Sequence, residues 1–258
     1  MIRASVVFVA GAASLSGVMA TQNASGQENV QARLSSDRLG YIESGTYLAG
    51  DRVSFAVDAS GANYLLRFDK SSEIYVLYPD NASLGGRVLK YDSGETALQV
   101  SGWGGVTLYP DADLAGLPAV RTGDSEAPLP PAASIADVQN AVEDDEAHLA
   151  HLRRLDLAFS VDWSYLANNA SARAIALDAM QNVARALDRF GRTAQAHDAL
   201  LRRVNTIRFE IAGRPTVALN AGTLIVTFDP SRGYEGRASS RAIAQALGQL
   251  LSLPQKRS

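Results

Sequence analysis

The chain has 258 residues, of which 47% are hydrophobic, carries a formal net charge of −3 at pH 7 and contains no cysteine. This length and hydrophobic content suffice for a packed core, arranged as one large domain or two small ones. The lack of cysteine excludes thiol catalysis, thiolate zinc sites, iron–sulfur clusters and disulfides. The mild acidic balance, with both signs interspersed, argues against nucleic acid or an anionic membrane as the partner.

Residues 1–20 have the layout of a secretory signal peptide. Arg3 precedes an uncharged run, Ala4 to Ala20, in which Val18 and Ala20 fit the small-residue positions before a cleavage site. An uncleaved membrane anchor is the alternative, but the run is shorter than the roughly 20 apolar residues that a bilayer core requires. We therefore expect cleavage after Ala20 and a periplasmic or secreted protein without stable membrane insertion. Cleavage would change the net charge to −4, because Arg3 is the only charged residue removed.

The segment from residue 47 to residue 109 predicts an antiparallel β region, preceded by a flexible lead-in over residues 21–46. Short runs in which apolar and polar residues alternate are separated by turn signals such as Asp58–Gly61 and Gly102–Gly105. Regularly spaced turns between β-branched and aromatic runs predict a meander of about six strands. The alternation predicts that one face of this sheet covers a core and the other faces water.

Residues 110–134 predict a linker or a loop wrapped over the surface. They contain five of the nine prolines of the chain, together with a polar stretch at Gly123–Glu126. Proline-rich, polar segments rarely form regular elements. We expect the boundary between the two halves of the chain here.

The segment from residue 135 to residue 258 predicts helices packed on a small antiparallel sheet. The apolar spacing changes to the helical period, and the predicted helices are Ile135–Arg154, Ala170–Phe190, Ala194–Arg203 and Ser240–Leu251. The predicted strands are Leu157–Trp163 and a hairpin of Thr206–Ile211 with Thr216–Phe228, the second run of which is interrupted at Asn220–Gly222. The whole chain is thus predicted to be α+β.

A candidate metal site lies on the first of these helices. Asp145, His148 and His151 follow one another at three-residue spacing, which brings them towards one side of a helix. Imidazole and carboxylate groups suit zinc or another divalent metal, but the chain has no HExxH motif. The alternative is a solvated, charged helix face, and the third histidine, His197, is interpreted as a surface residue.

A candidate ligand-binding loop precedes the last helix. Arg237, Ser239, Ser240 and Arg241 offer two guanidinium groups, two hydroxyls and the free amides of a helix N-terminus, which together suit a phosphate or carboxylate. The spacing matches neither GxxxxGK nor GxGxxG, so no nucleotide motif is present. The alternative is that Ser239 or Ser240 only caps the helix.

Aromatic residues of the β region form a further candidate, a platform for a sugar or peptide. Trp103 lies between glycines, and Tyr75, Tyr78 and Tyr109 accompany it in the sequence. Aromatic residues on a half-buried sheet also serve as core, which is the alternative. Serine hydrolysis is disfavoured, because the chain has no GxSxG motif and offers few histidines as the base.

Four segments resemble a family of uncharacterised exported proteins of Gram-negative bacteria, known as a domain of unknown function. They are Tyr64–Asp69, Glu73–Leu77, Gly104–Leu108 and the loop Gly236–Arg241, in which Ala238 stands where the family usually has proline. The resemblance implies a bacterial envelope or secreted protein and carries no catalytic residues.

These observations favour a non-catalytic exported protein that binds an envelope partner or a small ligand and needs no cofactor. The alternative is an extracytoplasmic hydrolase, possibly metal-dependent, that uses the Glu143–His151 helix or the Arg237–Arg241 loop.

Overall fold

The computed structural model describes residues 40–110 and 115–251. The predicted signal peptide and the lead-in up to residue 39 lie outside the described residues. The described residues form both strands and helices, which confirms the α+β class.

In the described residues of the first half, eight strands form a closed antiparallel barrel. Each strand pairs with the next along the chain, and the last pairs with the first through Thr46–Ala49 and Ala119–Gly123. The strands are β1 (Gly45–Ala49), β2 (Val53–Ser60), β3 (Asn63–Phe68), β4 (Ile74–Asn81), β5 (Arg87–Tyr91), β6 (Thr96–Val100), β7 (Val106–Leu108) and β8 (Leu117–Gly123).

Side chains fill the interior of the barrel. Successive residues of a strand point to opposite faces, and Phe55 and Val57 of β2 are both fully buried in this way. They belong to a core that also includes Tyr47, Leu66, Leu77, Leu89, Tyr91, Leu98 and Leu108. The predicted core face is therefore present, whereas the outer face does not meet water throughout, because Leu65 and Val76 are buried against Tyr234.

The barrel has eight strands in the described residues, whereas about six were predicted. Strand β1 begins before residue 47, and β8 lies inside residues 110–134, which were predicted as linker or surface loop. None of the side chains of β8 is fully buried, and the strand contains Pro118, so its sequence lacks the clear apolar alternation of a strand. Closure of the barrel requires a strand at this place, since closure leaves no unpaired edge.

The second half consists of helices and a four-stranded mixed sheet. Its elements are α1 (Ile135–Arg153), β9 (Ala158–Ser160), α2 (Trp163–Asn168), α3 (Ala170–Phe190), α4 (Ala194–Arg203), β10 (Thr206–Ile211), β11 (Thr216–Asn220), β12 (Thr223–Phe228) and α5 (Ser240–Leu250). The sheet order is β11-β12-β10-β9. The predicted helices are found within one residue of their expected bounds.

The predicted hairpin and the purely antiparallel sheet are wrong. Strand β10 pairs in parallel with both β9 and β12, and only β11 and β12 are antiparallel neighbours. Ala221 and Gly222 have positive φ values of 46° and 83°, which makes a tight turn at the predicted interruption and divides the run into β11 and β12. The helices between β9 and β10 form the crossover that a parallel pair requires.

Helix α3 lies at the centre of the second half and packs against α1 and α5. Its buried stripe includes Ile175, Met180, Val183 and Leu187, part of a core separate from that of the barrel. Helix α1 begins with a capping box, in which Ser134 and Asp137 exchange hydrogen bonds between side chain and backbone. None of the helices in the described part of the chain is long and apolar enough to cross a membrane.

Candidate functional site

The predicted ligand-binding loop lies at the N-terminus of α5, directly against the turns at one end of the barrel. The Ser239 amide and hydroxyl donate to the two oxygens of Asp92, at 2.7 and 2.5 Å. The Ser240 amide and hydroxyl donate to the two oxygens of Glu73, at 2.7 and 2.6 Å. The helix N-terminus thus binds carboxylates, as its chemistry predicts, and these carboxylates belong to the protein itself.

The two predicted arginines also contact carboxylates of the chain. Arg237 is 3% exposed and donates to Asp178 and to the carbonyl oxygen of Ile74. Arg241 donates to Glu95 at 3.0 Å, and its guanidinium lies 4.1 Å from the ring centre of Tyr91. An external anion would have to displace these acidic side chains in order to bind at the loop.

We call the contact of Glu73 and Asp92 with Ser239 and Ser240 the polar seam, because it joins the barrel to the second half. Burial raises the pKa of Asp92, an effect that the hydrogen bonds from Ser239 oppose. Glu73 is 2% exposed, and the Tyr75 hydroxyl donates to its Oε2 at 2.7 Å. Burial, together with the adjacent Glu73 carboxylate, raises the pKa of Tyr75 to about 12, so this hydroxyl remains a donor.

A cleft of about 580 Å³ opens beside the polar seam. One wall is the turn between β3 and β4, from Lys70 to Glu73, and the others come from α1 and α3. Helix α1 contributes Asp144, Asp145 and His148. Helix α3 and the turn after it contribute Gln181, Ala184, Arg185, Asp188, Arg189 and Arg192.

The cleft mixes cationic and acidic side chains that belong to different elements. Arg185 is held by hydrogen bonds to Ser72 at 2.9 Å and to Asn182 at 2.7 Å. Asp188 accepts from Arg153 at 2.7 Å and from Arg192 at 3.3 Å. These contacts orient Arg185 and neutralise Asp188 within the wall.

Asp145 differs from the other acidic residues of the cleft. Its Oδ2 is buried and has no hydrogen-bond partner among the described residues. Burial raises the pKa of Asp145 to about 6, although the nearby Arg185 and His148 act in the opposite direction. A carboxyl group with a raised pKa in a cleft is a candidate for a functional role.

Comparison with protein families matched residues 29–247 to a domain of unknown function, DUF4908. The chain belongs to this family. No curated protein and no solved structure matched the chain. The function of DUF4908 is unknown, and nothing in the described residues of this chain supports a catalytic role.

The predicted metal ligands of this DUF4908 chain do not all line the cleft. Asp145 and His148 line the cleft, whereas His151 is exposed and lies outside it. Within residues 40–110 and 115–251, no group of three or more histidine, aspartate or glutamate side chains could hold a metal ion. His197 is partly buried, and its Nε2 lies 2.5 Å from the carbonyl oxygen of Arg153.

The predicted aromatic platform is not formed. Trp103 occupies the β6–β7 turn, whereas Tyr75 is buried near the start of β4, at the opposite end of the barrel. Tyr75 packs edge-on against Tyr91 at 5.2 Å as part of the barrel core. The antiparallel strand directions set these aromatic residues apart.

Lys70, Arg185 and Arg189 line the cleft, and sequence reasoning missed them. Arg185 and Arg189 are four residues apart and share one face of α3, and Arg192 follows in the turn after the helix. No local signal connects that face with the β3–β4 turn, which lies more than a hundred residues earlier in the chain.

Proposed function

We propose that this protein is an exported, non-catalytic binding protein that holds a small zwitterion in the cleft between the barrel and helices α1 and α3. The observation that carries the proposal is Asp145, a residue of a cleft that is also lined by arginines, whose buried Oδ2 has no hydrogen-bond partner among the described residues. Buried polar atoms without partners are rare in native proteins. A ligand that donates a hydrogen bond to the Asp145 carboxylate would supply the missing partner once this side chain turns towards the cleft.

The charges of the cleft support a ligand that carries both signs. Arg189 and Lys70 could contact an anionic group such as a carboxylate, while Asp144 and Asp145 could contact an ammonium group. A simple anion would be repelled by the acidic residues, and a simple cation by the arginines. An amino acid or a short peptide has the required combination, and a cleft of about 580 Å³ has room for either.

Hydrogen bonds within the protein already hold side chains of the cleft in place, as in a preformed site. Arg185 is oriented by Ser72 on the barrel side and by Asn182 on its own helix. Asn182 is fully buried and donates to the carbonyl oxygen of Ala238, next to the polar seam. Supporting contacts of this kind reduce the ordering that a ligand must impose when it binds.

Thermal unfolding of the protein with added dipeptides and free amino acids tests the proposal. Glycylglycine and a panel of amino acids are the probes, and acetate and ethylammonium are the single-charge controls. We expect a saturable rise in melting temperature with a member of the zwitterion panel and none with the controls, because a ligand that binds the folded state stabilises it by mass action.

Variants of the cleft complete the test. Asp145→Ala and Arg189→Gln should each remove the rise in melting temperature, whereas Glu143→Gln, an exposed position on the same helix as Asp145, should retain it. The proposal fails if no zwitterion in the panel raises the melting temperature. It also fails if the rise persists in both cleft variants.

Export is the second part of the proposal. It is supported by the signal-peptide layout of residues 1–20 and by the resemblance to exported proteins of Gram-negative bacteria. N-terminal sequencing of the protein from a Gram-negative host should give Thr21 as the first residue of the periplasmic or secreted form. Recovery of the chain from the cytoplasm with Met1 intact would contradict export.

A further inference from the structure

Strand β11 is an edge strand of the four-stranded sheet. In the described part of the chain it pairs with β12 alone, and no other described strand lies on its outer side. Unpaired amides and carbonyls at a sheet edge form a template for another extended chain. The outer side of β11 is therefore a candidate binding surface.

Val217 and Leu219 direct their backbone groups away from the sheet. Hydrogen-bonded and non-hydrogen-bonded pairs alternate along an antiparallel ladder. Asn220 and Thr223 close the two-residue turn between β11 and β12 as a hydrogen-bonded pair, so Ala218 also belongs to such a pair. The amides and carbonyls of Val217 and Leu219 consequently form a row along the open edge.

The opposite edge of the same sheet is protected. Strand β9 has only three residues, and the Phe159 amide donates to Oε1 of Glu146 on α1 at 2.6 Å. Proteins commonly protect edges in this way, with short strands, charged side chains, prolines or covering elements. Strand β11 has five residues, none of which is charged or a proline. Its edge therefore lacks the protection that β9 has.

A groove of about 260 Å³ lies between β11 and helix α5. Val217 lines it on the strand side, and Ala242, Gln245, Ala246 and Gln249 line it on the helix side. The spacing of these four residues places them on one face of α5. The groove therefore has a small, uncharged helix face on the side opposite the strand.

We propose that β11 binds an extended, uncharged segment of a partner protein as an added strand, with side chains of valine to leucine size in this groove. The partial charges of the open amides and carbonyls are complementary to those of another extended backbone, which identifies the occupant as a polypeptide. In an antiparallel pair, the residues opposite Val217 and Leu219 exchange hydrogen bonds with them and share their face of the sheet. That face packs on the helices, since both side chains contact the core around α3.

The size of the edge favours a peptide segment over a second copy of the chain. Strand β11 has five residues and extends over about 17 Å. Stable interfaces between folded proteins bury about 1,600 Å² in total, which is far more than a short strand edge offers. A peptide strand instead gains its affinity from main-chain hydrogen bonds and its specificity from pockets for alternate side chains.

This inference does not rest on the ligand proposed for the cleft. The groove and the cleft share no lining residue. The two sites can therefore be tested independently in the same protein.

Fluorescence anisotropy of labelled peptides with the full chain provides the test. The first probe is a fluorescein-labelled, amidated peptide of sequence Lys-Thr-Val-Thr-Val-Thr-Lys, and two further probes carry leucine or alanine in place of both valines. We expect saturable binding of the valine or leucine peptide and weaker binding of the alanine peptide. Lack of saturable binding by all three peptides would overturn the proposal.

N-methylated peptides test the main-chain hydrogen bonds. When the valines lie opposite Val217 and Leu219, their amides point towards β11 and the threonine amides point away. Methylation of both valine amides should weaken binding by about tenfold or more, because it removes two hydrogen bonds. Methylation of the threonine amides is the matched control and should leave the affinity close to that of the parent peptide. Equal affinities of the two methylated peptides would contradict strand addition.

Two variants locate the bound peptide. Val217→Pro removes an amide that faces outward, which an edge strand tolerates, and should weaken peptide binding. Ala246→Met keeps a good helix former in α5 but fills the groove, and should lower the affinity by about tenfold. Ala150→Met, at an exposed position of α1, is the matched control and should bind like the parent. Unchanged affinity in Ala246→Met would overturn the proposal even if Val217→Pro fails to fold.

Two further outcomes assign the site elsewhere. Loss of peptide binding in Asp145→Ala, with binding retained in Ala246→Met, would place the peptide in the cleft. Concentration-dependent dimerisation in sedimentation velocity that Ala246→Met abolishes and the peptides do not affect would identify a second copy as the occupant. Either result would overturn the proposal.

Discussion

Replacing Glu73 by alanine is the most direct test of the polar seam. The Glu73 carboxylate accepts hydrogen bonds from the Ser240 amide at 2.7 Å, the Ser240 hydroxyl at 2.6 Å and the Tyr75 hydroxyl at 2.7 Å. Alanine would leave these buried donors without their acceptor. The hydroxyls can turn towards other acceptors, but the Ser240 amide, at the start of α5, cannot.

The magnitude follows from the groups that lose their partner. Each buried donor left unsatisfied costs about 1–3 kcal/mol. Removal of the buried charge itself recovers part of this cost, since the carboxylate is no longer desolvated. We expect Glu73→Ala to lower the free energy of unfolding by about 3 kcal/mol. In a chain of this size that loss lowers the melting temperature by about 6–12 °C.

Glu73→Gln should cost less, about 1 kcal/mol, because its amide oxygen still accepts from Ser240 and both hydroxyls can accept from its amide nitrogen. Urea unfolding followed by circular dichroism measures both variants, with Glu143→Gln as an exposed control that should change the free energy of unfolding by less than about 0.5 kcal/mol. If Glu73→Ala changes the free energy of unfolding no more than the control does, the polar seam does not stabilise the protein. If glutamine costs as much as alanine, the charge rather than the hydrogen-bond geometry dominates.

Three further predictions concern single positions. Asp145→Asn should be more stable than the parent by about 1 kcal/mol at pH 7.5, after a discount for solvent screening. The difference should vanish below about pH 4 in pH-dependent urea unfolding, because a carboxyl whose pKa is raised to about 6 is destabilised only where it ionises. Gly236→Ala should lower the free energy of unfolding by about 3 kcal/mol or more, since its Cβ would lie 1.8 Å from the carbonyl oxygen of Asp229. The matched change Gly213→Ala, where a Cβ meets nothing within 4 Å, should be neutral. Arg237→Lys should cost about 2–4 kcal/mol in the same assay, because one ammonium cannot replace the guanidinium that contacts both Asp178 and the Ile74 carbonyl.

The helices were predictable because their signals are local. Helix α3 carries an apolar stripe of helical period and ends at Phe190, immediately before Gly191, as predicted. Strand pairing is not local. Strand β8 became a strand because the barrel had to close, and β10 pairs in parallel with β12 although β11 follows it directly in the sequence.

Only the donors of the contacts in the candidate site could be predicted from the sequence, and their acceptors could not. The donors of Ser239 and Ser240 are adjacent in sequence and follow from the general chemistry of a helix N-terminus. Their acceptors, Asp92 and Glu73, lie 147 and 167 residues away, and no local pattern indicates that these two acidic residues would be chosen among many. The cleft depends on the same long-range docking, so Arg185 and the β3–β4 turn could not be connected from sequence.

The separate cores lead to a last prediction about the two halves. The barrel core and the core around α3 do not merge, and the apolar contact between the halves is a small cluster of Leu65, Val76 and Tyr234. A closed barrel has no unpaired edge. We therefore expect residues 40–126, expressed alone, to fold.

In the isolated barrel, Glu73 and Asp92 would be hydrated rather than left without partners, so the loss of Ser239 and Ser240 costs the barrel little. The fragment should show a cooperative thermal transition in circular dichroism, and its Tyr75 and Tyr91 rings should retain a near-ultraviolet signal. An unfolded fragment would show that the barrel depends on the second half. A folded fragment together with a loss of about 3 kcal/mol in Glu73→Ala requires that docking of the halves contributes at least that much. If docking contributed less, the two halves of Glu73→Ala would separate at the polar seam and water would hydrate the unpaired groups. The loss of stability would then be smaller than about 3 kcal/mol.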